Sequence, residues 1–124
     1  MNLSELLRWQ WSAYPSTHTH RVNLLVHVVT WPFFVSGSLM IVAGIILLQP
    51  ALTLLGLLGT SGAAMAQLQS HRFEPQAPAR FSSPWDLIRR FLAEQFVTFP
   101  RFLLSGGFAA AWRRAGHAPG DANH

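Results

Sequence analysis

Cysteine is absent from the 124 residues, lysine is absent too, and only five residues are acidic. Without thiols, thiolate metal sites, thiol nucleophiles and disulfides are all excluded, and nothing about redox compartment can be read. Charge of either sign is scarce, at 11% of the chain against 50% hydrophobic residues, so little water-facing surface can be built. The positive excess comes from arginine alone. Those arginines border apolar segments instead of lining one soluble face, which argues against nucleic acid and for anionic lipid headgroups. No cleavable leader is expected, because Glu5, Trp9 and Trp11 stand where its apolar region would be.

What the chain has in quantity is an uncharged apolar run. Residues 22–48 as one helix extend about 40 Å at ~1.5 Å per residue, more than the roughly 30 Å core of a bilayer. Gln49-Pro50 supplies a turn, and residues 51–71 form a second apolar helix of about 30 Å. The expected fold is an all-α integral membrane protein, an antiparallel transmembrane hairpin with interfacial amphipathic or broken helices. It reads as one domain over residues 1–114, with helices near 3–13, 17–48, 51–71, 84–99 and 101–113. Residues 115–124 read as a disordered tail in which His117 and His124 are inert. Pro32 should kink the first long helix. Gly56, Gly59, Gly62, Ala63 and Ala66 give the second one a small-residue flank on which a helix can pack closely. All nine arginines lie outside the hairpin body and none at its tip, so both ends should face the cytoplasm, in a bacterial inner membrane.

Outside the hairpin the pattern is amphipathic. In residues 3–13, Leu3, Leu6, Leu7 and Trp11 share a face opposite Glu5, Arg8 and Ser12; Pro15 ends this helix, and Ser16 or Thr17 can cap the next. Ser83-Pro84-Trp85-Asp86 marks a helix start, with Ser83 as the cap. The helical period then buries Trp85, Ile88, Phe91, Leu92, Phe96 and Phe99 and shows Asp86, Arg89, Arg90 and Glu94 to solvent. Pro100 and Gly106-Gly107 interrupt the apolar stretch beyond Phe99. Residues 84–112 therefore lie along the cytoplasmic leaflet, or form a third and fourth membrane segment.

Folding back brings His18, His20 and His27 to the same rim as His71 and Glu74. His20, Asn23 and His27 fall on one helical stripe, and Gln67 and His71 share a face. Imidazoles with a carboxylate suit iron, zinc, copper or nickel, and a partly filled shell suits a non-haem Fe(II) centre that takes up dioxygen and a chelating substrate. Asn23 and Gln67 can hold the imidazole tautomers. Zinc-assisted hydrolysis with Glu74 as base stays open. So do a haem subunit with two axial histidines and a non-catalytic hairpin, a scaffold or lipid-binding protein whose histidines only satisfy carbonyls and phosphates.

His18-x8-His27 with Asn23 between and Pro32 five residues on resembles the first signature of the Mpo-type membrane 2-hydroxy fatty acid dioxygenases. Gln67-x3-His71, a following glutamate, Pro78-Ala79, and an amphipathic helix ending in Phe99-Pro100-Arg101-Phe102 are similar to the second. Ser70 replaces the usual glycine, and the interval from His71 to Glu74 is one residue shorter than in that family. The resemblance implies an Fe(II) enzyme that cleaves a 2-hydroxy fatty acid with dioxygen, releasing an acid one carbon shorter. It implies His18, His27 and His71 as metal ligands and His20 as a fourth candidate, with Asn23, Gln67 and Glu74 supporting them. Arg21, Arg72 or Arg80 would hold the substrate carboxylate. The single hairpin, where larger members have more segments, favours a homodimer.

Overall fold

The computed structural model describes residues 1–116, and every regular element among them is a helix. Two long helices, α2 (Arg21–Ile46) and α3 (Pro50–Ser70), form the hairpin, and a short 3-10 turn (His71–Phe73) extends the second. Their mean hydropathies of 1.9 and 1.4 and their lengths are enough to cross a membrane. Only 17% of each apolar window is buried, so most of both helices faces outward. The tip turns through Leu48, a left-handed residue with φ 53°, while Gln49 N–H closes on the Gly44 carbonyl at 2.8 Å.

The seam of the hairpin is made by glycines on both helices. A Cβ on Gly37 would meet the Gly56 carbonyl at 2.7 Å, and one on Gly56 would meet the Gly37 carbonyl at 2.5 Å. Backbones pack directly, which is how helices gain contact when the medium supplies no hydrophobic drive. Of the expected flank, Gly56 and Ala63 are buried, whereas a Cβ on Gly62 meets nothing. Gly37 and Gly44 complete the seam from α2.

Helix α1 runs Leu3–Thr17 and contains Pro15, beyond the expected end at 13. Proline there removes a single backbone donor. The Ser16 and Thr17 hydroxyls turn back to the Ala13 and Tyr14 carbonyls, so neither caps α2. His20 does, its Nδ1 accepting from Val22 N–H at 3.1 Å, and α2 starts four residues later than its expected bound. Leu6, Gln10 and Tyr14 form the buried stripe of α1, while Leu3 is exposed.

Ser83 caps α4 (Pro84–Ala93), as the spacing predicts, accepting from Asp86 N–H at 3.0 Å. The helix then widens into a π turn (Glu94–Thr98) and continues as α5 (Phe99–Leu104) without a break at Pro100. Phe99 N–H reaches the Glu94 carbonyl, five residues back. Pro100 has no N–H to offer the Gln95 carbonyl, which is satisfied instead by Trp31 Nε1–H at 2.6 Å. Gly106, at φ 88°, turns the chain into α6 (Gly107–Gly116), so Ala115, expected in a loose tail, is a buried helical residue. His117 and His124 lie outside the described residues.

The face turned inward differs from the expected one. Phe91 and Phe99 are buried, but Trp85 (64% exposed), Ile88, Leu92 and Phe96 point outward, and the residues turned in are Glu94, Gln95 and Thr98. Inside, each has a partner: Gln95 pairs with Gln67, Thr98 with Gln10, and Glu94 with Tyr14. Buried polar groups with partners are tolerated, and large apolar groups are displaced to the surface. Tyr14, Leu24, Phe99, Phe102 and Ala111 form one core beside these groups; Phe34, Ala63 and Phe91 form a second.

Candidate metal centre

Three elements that meet at the base of the hairpin each contribute one imidazole. His18 follows the last residue of α1, His27 sits in the second turn of α2, and His71 begins the 3-10 turn after α3. Ring centroids are 4.8 Å apart for His18 and His27, 4.9 Å for His18 and His71, and 5.2 Å for His27 and His71. His18 Nδ1 donates to the Tyr14 carbonyl at 2.9 Å, and His27 Nδ1 donates to the Asn23 carbonyl at 2.9 Å. A carbonyl oxygen only accepts, so Nδ1 carries a proton in both rings, and in a neutral ring Nε2 then presents a lone pair.

Those two Nε2 atoms and His71 Nδ1 are buried without a hydrogen-bond partner. Each such orphan costs about 1–3 kcal/mol. One ligand nitrogen from each histidine lies within 4.8 Å of the others. A central point in such a triangle is at most about 2.8 Å from each nitrogen, a small side-chain adjustment from the roughly 2.0–2.1 Å of an imidazole–metal bond. The cluster could therefore hold a metal ion, and three convergent imidazoles suit a divalent first-row metal. His20 stands apart, capping α2 and stacking on Phe73 at 5.6 Å.

A carboxylate that sequence periodicity assigns to solvent joins the cluster. Glu94 Oε2 lies 3.6 Å from His18 Nε2 and 3.5 Å from His27 Nε2, and accepts from the Tyr14 hydroxyl at 2.7 Å. Burial pushes the Glu94 carboxyl up, but the imidazoles of His18 and His27 outweigh it and hold it well below the usual carboxylate range. Burial, reinforced by Glu94, raises the Tyr14 phenol, and burial lowers His18. At neutral pH the set is therefore an ionised carboxylate, a protonated phenol and a neutral His18 ring. Tyr14 also stacks on His18 at 3.7 Å. The signal for Glu94 in the sequence is an acid among Phe91, Leu92, Phe96 and Val97, where a solvated face would be poorly placed.

The expected supporting residues divide. Asn23 holds His27 through its carbonyl, donates to Glu74 Oε2 at 2.8 Å and accepts from Ser70 at 2.6 Å. Gln67 exchanges two amide bonds with Gln95, at 3.2 and 2.6 Å, and donates to Thr30 at 3.0 Å. Glu74 is turned away from the imidazoles to the start of α2, where it accepts from Thr19 N–H at 2.8 Å and His20 N–H at 3.0 Å. Burial raises its carboxyl, yet the bonds from Thr19, His20 and Asn23 bring it below its ordinary value. It is a staple between the end of α3 and the start of α2.

A cavity of about 80 Å³ adjoins the three histidines, Gln67 and Glu94, with Leu68, Phe81, Phe91 and Arg90 on its other side. Of the expected arginines, none lines it: Arg21 donates to the Trp112 carbonyl, Arg72 rests over Phe73, and Arg80 is exposed. Arg90 does line it. Its guanidinium donates to the Ala79 and Arg80 carbonyls at 2.8 and 3.1 Å and lies over the Phe81 and Trp9 rings at 4.2 and 5.0 Å. No family model, curated protein or solved structure matches this chain.

Proposed function

We propose that this chain is an integral protein of a bacterial inner membrane, an iron-dependent dioxygenase that converts 2-hydroxy fatty acids to acids one carbon shorter. The reading is carried by three buried, unpartnered imidazole nitrogens that converge beside a cavity with an apolar wall, at the base of a hairpin of membrane-crossing length. His18, His27 and His71 would hold the metal. Bound ferrous iron supplies the uptake of dioxygen and of a chelating 2-hydroxy acid, chemistry that side chains lack.

The remaining work belongs to the chain. The Tyr14 and Asn23 carbonyls keep the His18 and His27 protons on Nδ1, so Nε2 stays directed at the cluster. Leu68, Phe81 and Phe91 offer the first carbons of an acyl chain an apolar wall and exclude water. Of the five guanidinium N–H groups of Arg90, two bond loop carbonyls and Nη1 also lies 3.6 Å from Asp86 Oδ2, leaving the others for a substrate carboxylate. The arginines flank the hairpin's two ends and are missing from its tip, which favours both ends in the cytoplasm.

Protein purified anaerobically in detergent should carry iron by mass spectrometry and consume dioxygen as it shortens a 2-hydroxy fatty acid. His27→Ala should lower both metal retention and turnover by at least about a hundredfold. Metal-free protein whose thermal stability ignores added iron, together with unchanged turnover in His27→Ala, would leave only a non-catalytic hairpin. A metal that binds the folded state alone adds about 2.7 kcal/mol at a hundred times its Kd.

A further inference from the structure

The geometry points to Glu94 as a fourth protein ligand, and we propose that the centre is a three-histidine, one-carboxylate site oriented by Tyr14. This rests on the histidine cluster holding a metal. Hydrogen-bond acceptors are gathered in this cluster when its rings are neutral. When the rings are neutral, the proton that Nδ1 donates to a carbonyl leaves His18 Nε2 and His27 Nε2 with lone pairs. Both face Glu94 Oε2, at 3.6 and 3.5 Å, in a buried setting where unscreened repulsion is strong. Neutral rings share no hydrogen with the carboxylate, and a metal cation seated among them turns this contact attractive with both imidazoles left neutral. His71 Nδ1 is a third orphan, and a ring nitrogen of His71 lies within 4.8 Å of the other two ligand atoms.

Glu94 is also held for the task. Glu94 opens the π turn, three residues after buried Phe91, and the Tyr14 hydroxyl donates to the same oxygen that faces the imidazoles, at 2.7 Å. Hydrogen-bonded carboxylates beside metals are oriented in this way. A carboxylate added to three imidazoles favours a divalent metal of intermediate hardness and lowers the charge of the site by one. Tyr14 is then a positioning residue that acts through Glu94.

Cobalt(II) titration of the full-length protein in detergent under anaerobic conditions tests this, with visible d–d absorption reporting the ligand set. Glu94→Gln should weaken cobalt binding at least about tenfold and change the band pattern, whereas Tyr14→Phe should shift the bands with a smaller loss. If Glu94→Gln does not fold, Glu94→Asp decides, since it keeps the charge but shortens the reach; a changed band pattern supports the assignment. Wild-type affinity and bands in the Glu94 variant, with cobalt lost in His27→Ala, would overturn the carboxylate ligand and leave a three-histidine site. A wild-type chain that takes up no cobalt would instead overturn the metal reading beneath it.

Discussion

The two halves of the hairpin are built from similar apolar sequence and meet different surroundings. At the base, α1, α4, the π turn, α5 and α6 pack around α2, and Asn23, Leu24 and His27 are buried with Gln67 and Ser70 of α3. Toward the tip, Gly44 and Gly56 are buried where the two helices touch, while Leu39, Val42, Ile45, Leu54 and Leu58 are exposed. Polar side chains with partners on other elements gather at the base, beside a histidine cluster that could hold a metal. Toward the tip Ser38 and Thr53 bond carbonyls of their own segment, and Thr60 Oγ1 has no partner.

Paired truncations give the largest expected contrast. Leu24→Ala at the base, where the side chain has 0% exposure, should cost about 2–5 kcal/mol in detergent unfolding, whereas Leu58→Ala toward the tip, with 72% exposure, should stay within about 0.5 kcal/mol. Equal effects would mean that the tip is covered by something as well packed as the base. Gly56→Val, which drives a side chain into the Gly37 carbonyl, should cost about 1–3 kcal/mol in the same assay. A neutral result would show that the seam is looser than its contacts.

Glu74→Gln at the base should cost about 1–3 kcal/mol, because a carboxylate bonded to Thr19 N–H and His20 N–H is lost. Its folded pKa lies below its ordinary 4.5. The stabilisation is therefore complete above the unfolded pKa and lost as pH falls through the folded one. Wild type and Glu74→Gln should converge in stability on acidification below the folded pKa. A gap that persists there would place the contribution in packing instead of charge. The smallest expected effect is at the tip, where Leu48→Gly relieves a left-handed leucine and should stabilise by about 1 kcal/mol in thermal melts.

Much of the site was readable because its ligands are the scarce polar residues of an apolar chain. His18, His27 and His71 stand out for that reason, and a hairpin of fixed rise returns the third to the first two. Glu94 was assigned to solvent because the buried stripe was set on Trp85, Ile88 and Leu92, whereas packing turns Leu87, Phe91 and Gln95 inward and carries Glu94 with them. His20 and Glu74 share the residue types of a metal ligand but are used to cap and staple α2, a distinction that depends on which backbone N–H groups lie nearby.

Composition and order along the chain were enough to specify two long apolar helices, the uncharged turn between them, the Ser83 cap and the meeting of distant histidines, since these come from local rise, period and the scarcity of charge. Which carboxylate faces the imidazoles, which arginine reaches the cavity and which face of the 84–104 segment turns inward were decided only by packing. Hydrogen-bond partners for Glu94, Gln95 and Thr98 come from α1 and α3, far away in sequence. Satisfying them sets the rotation of that helix, which no local pattern encodes.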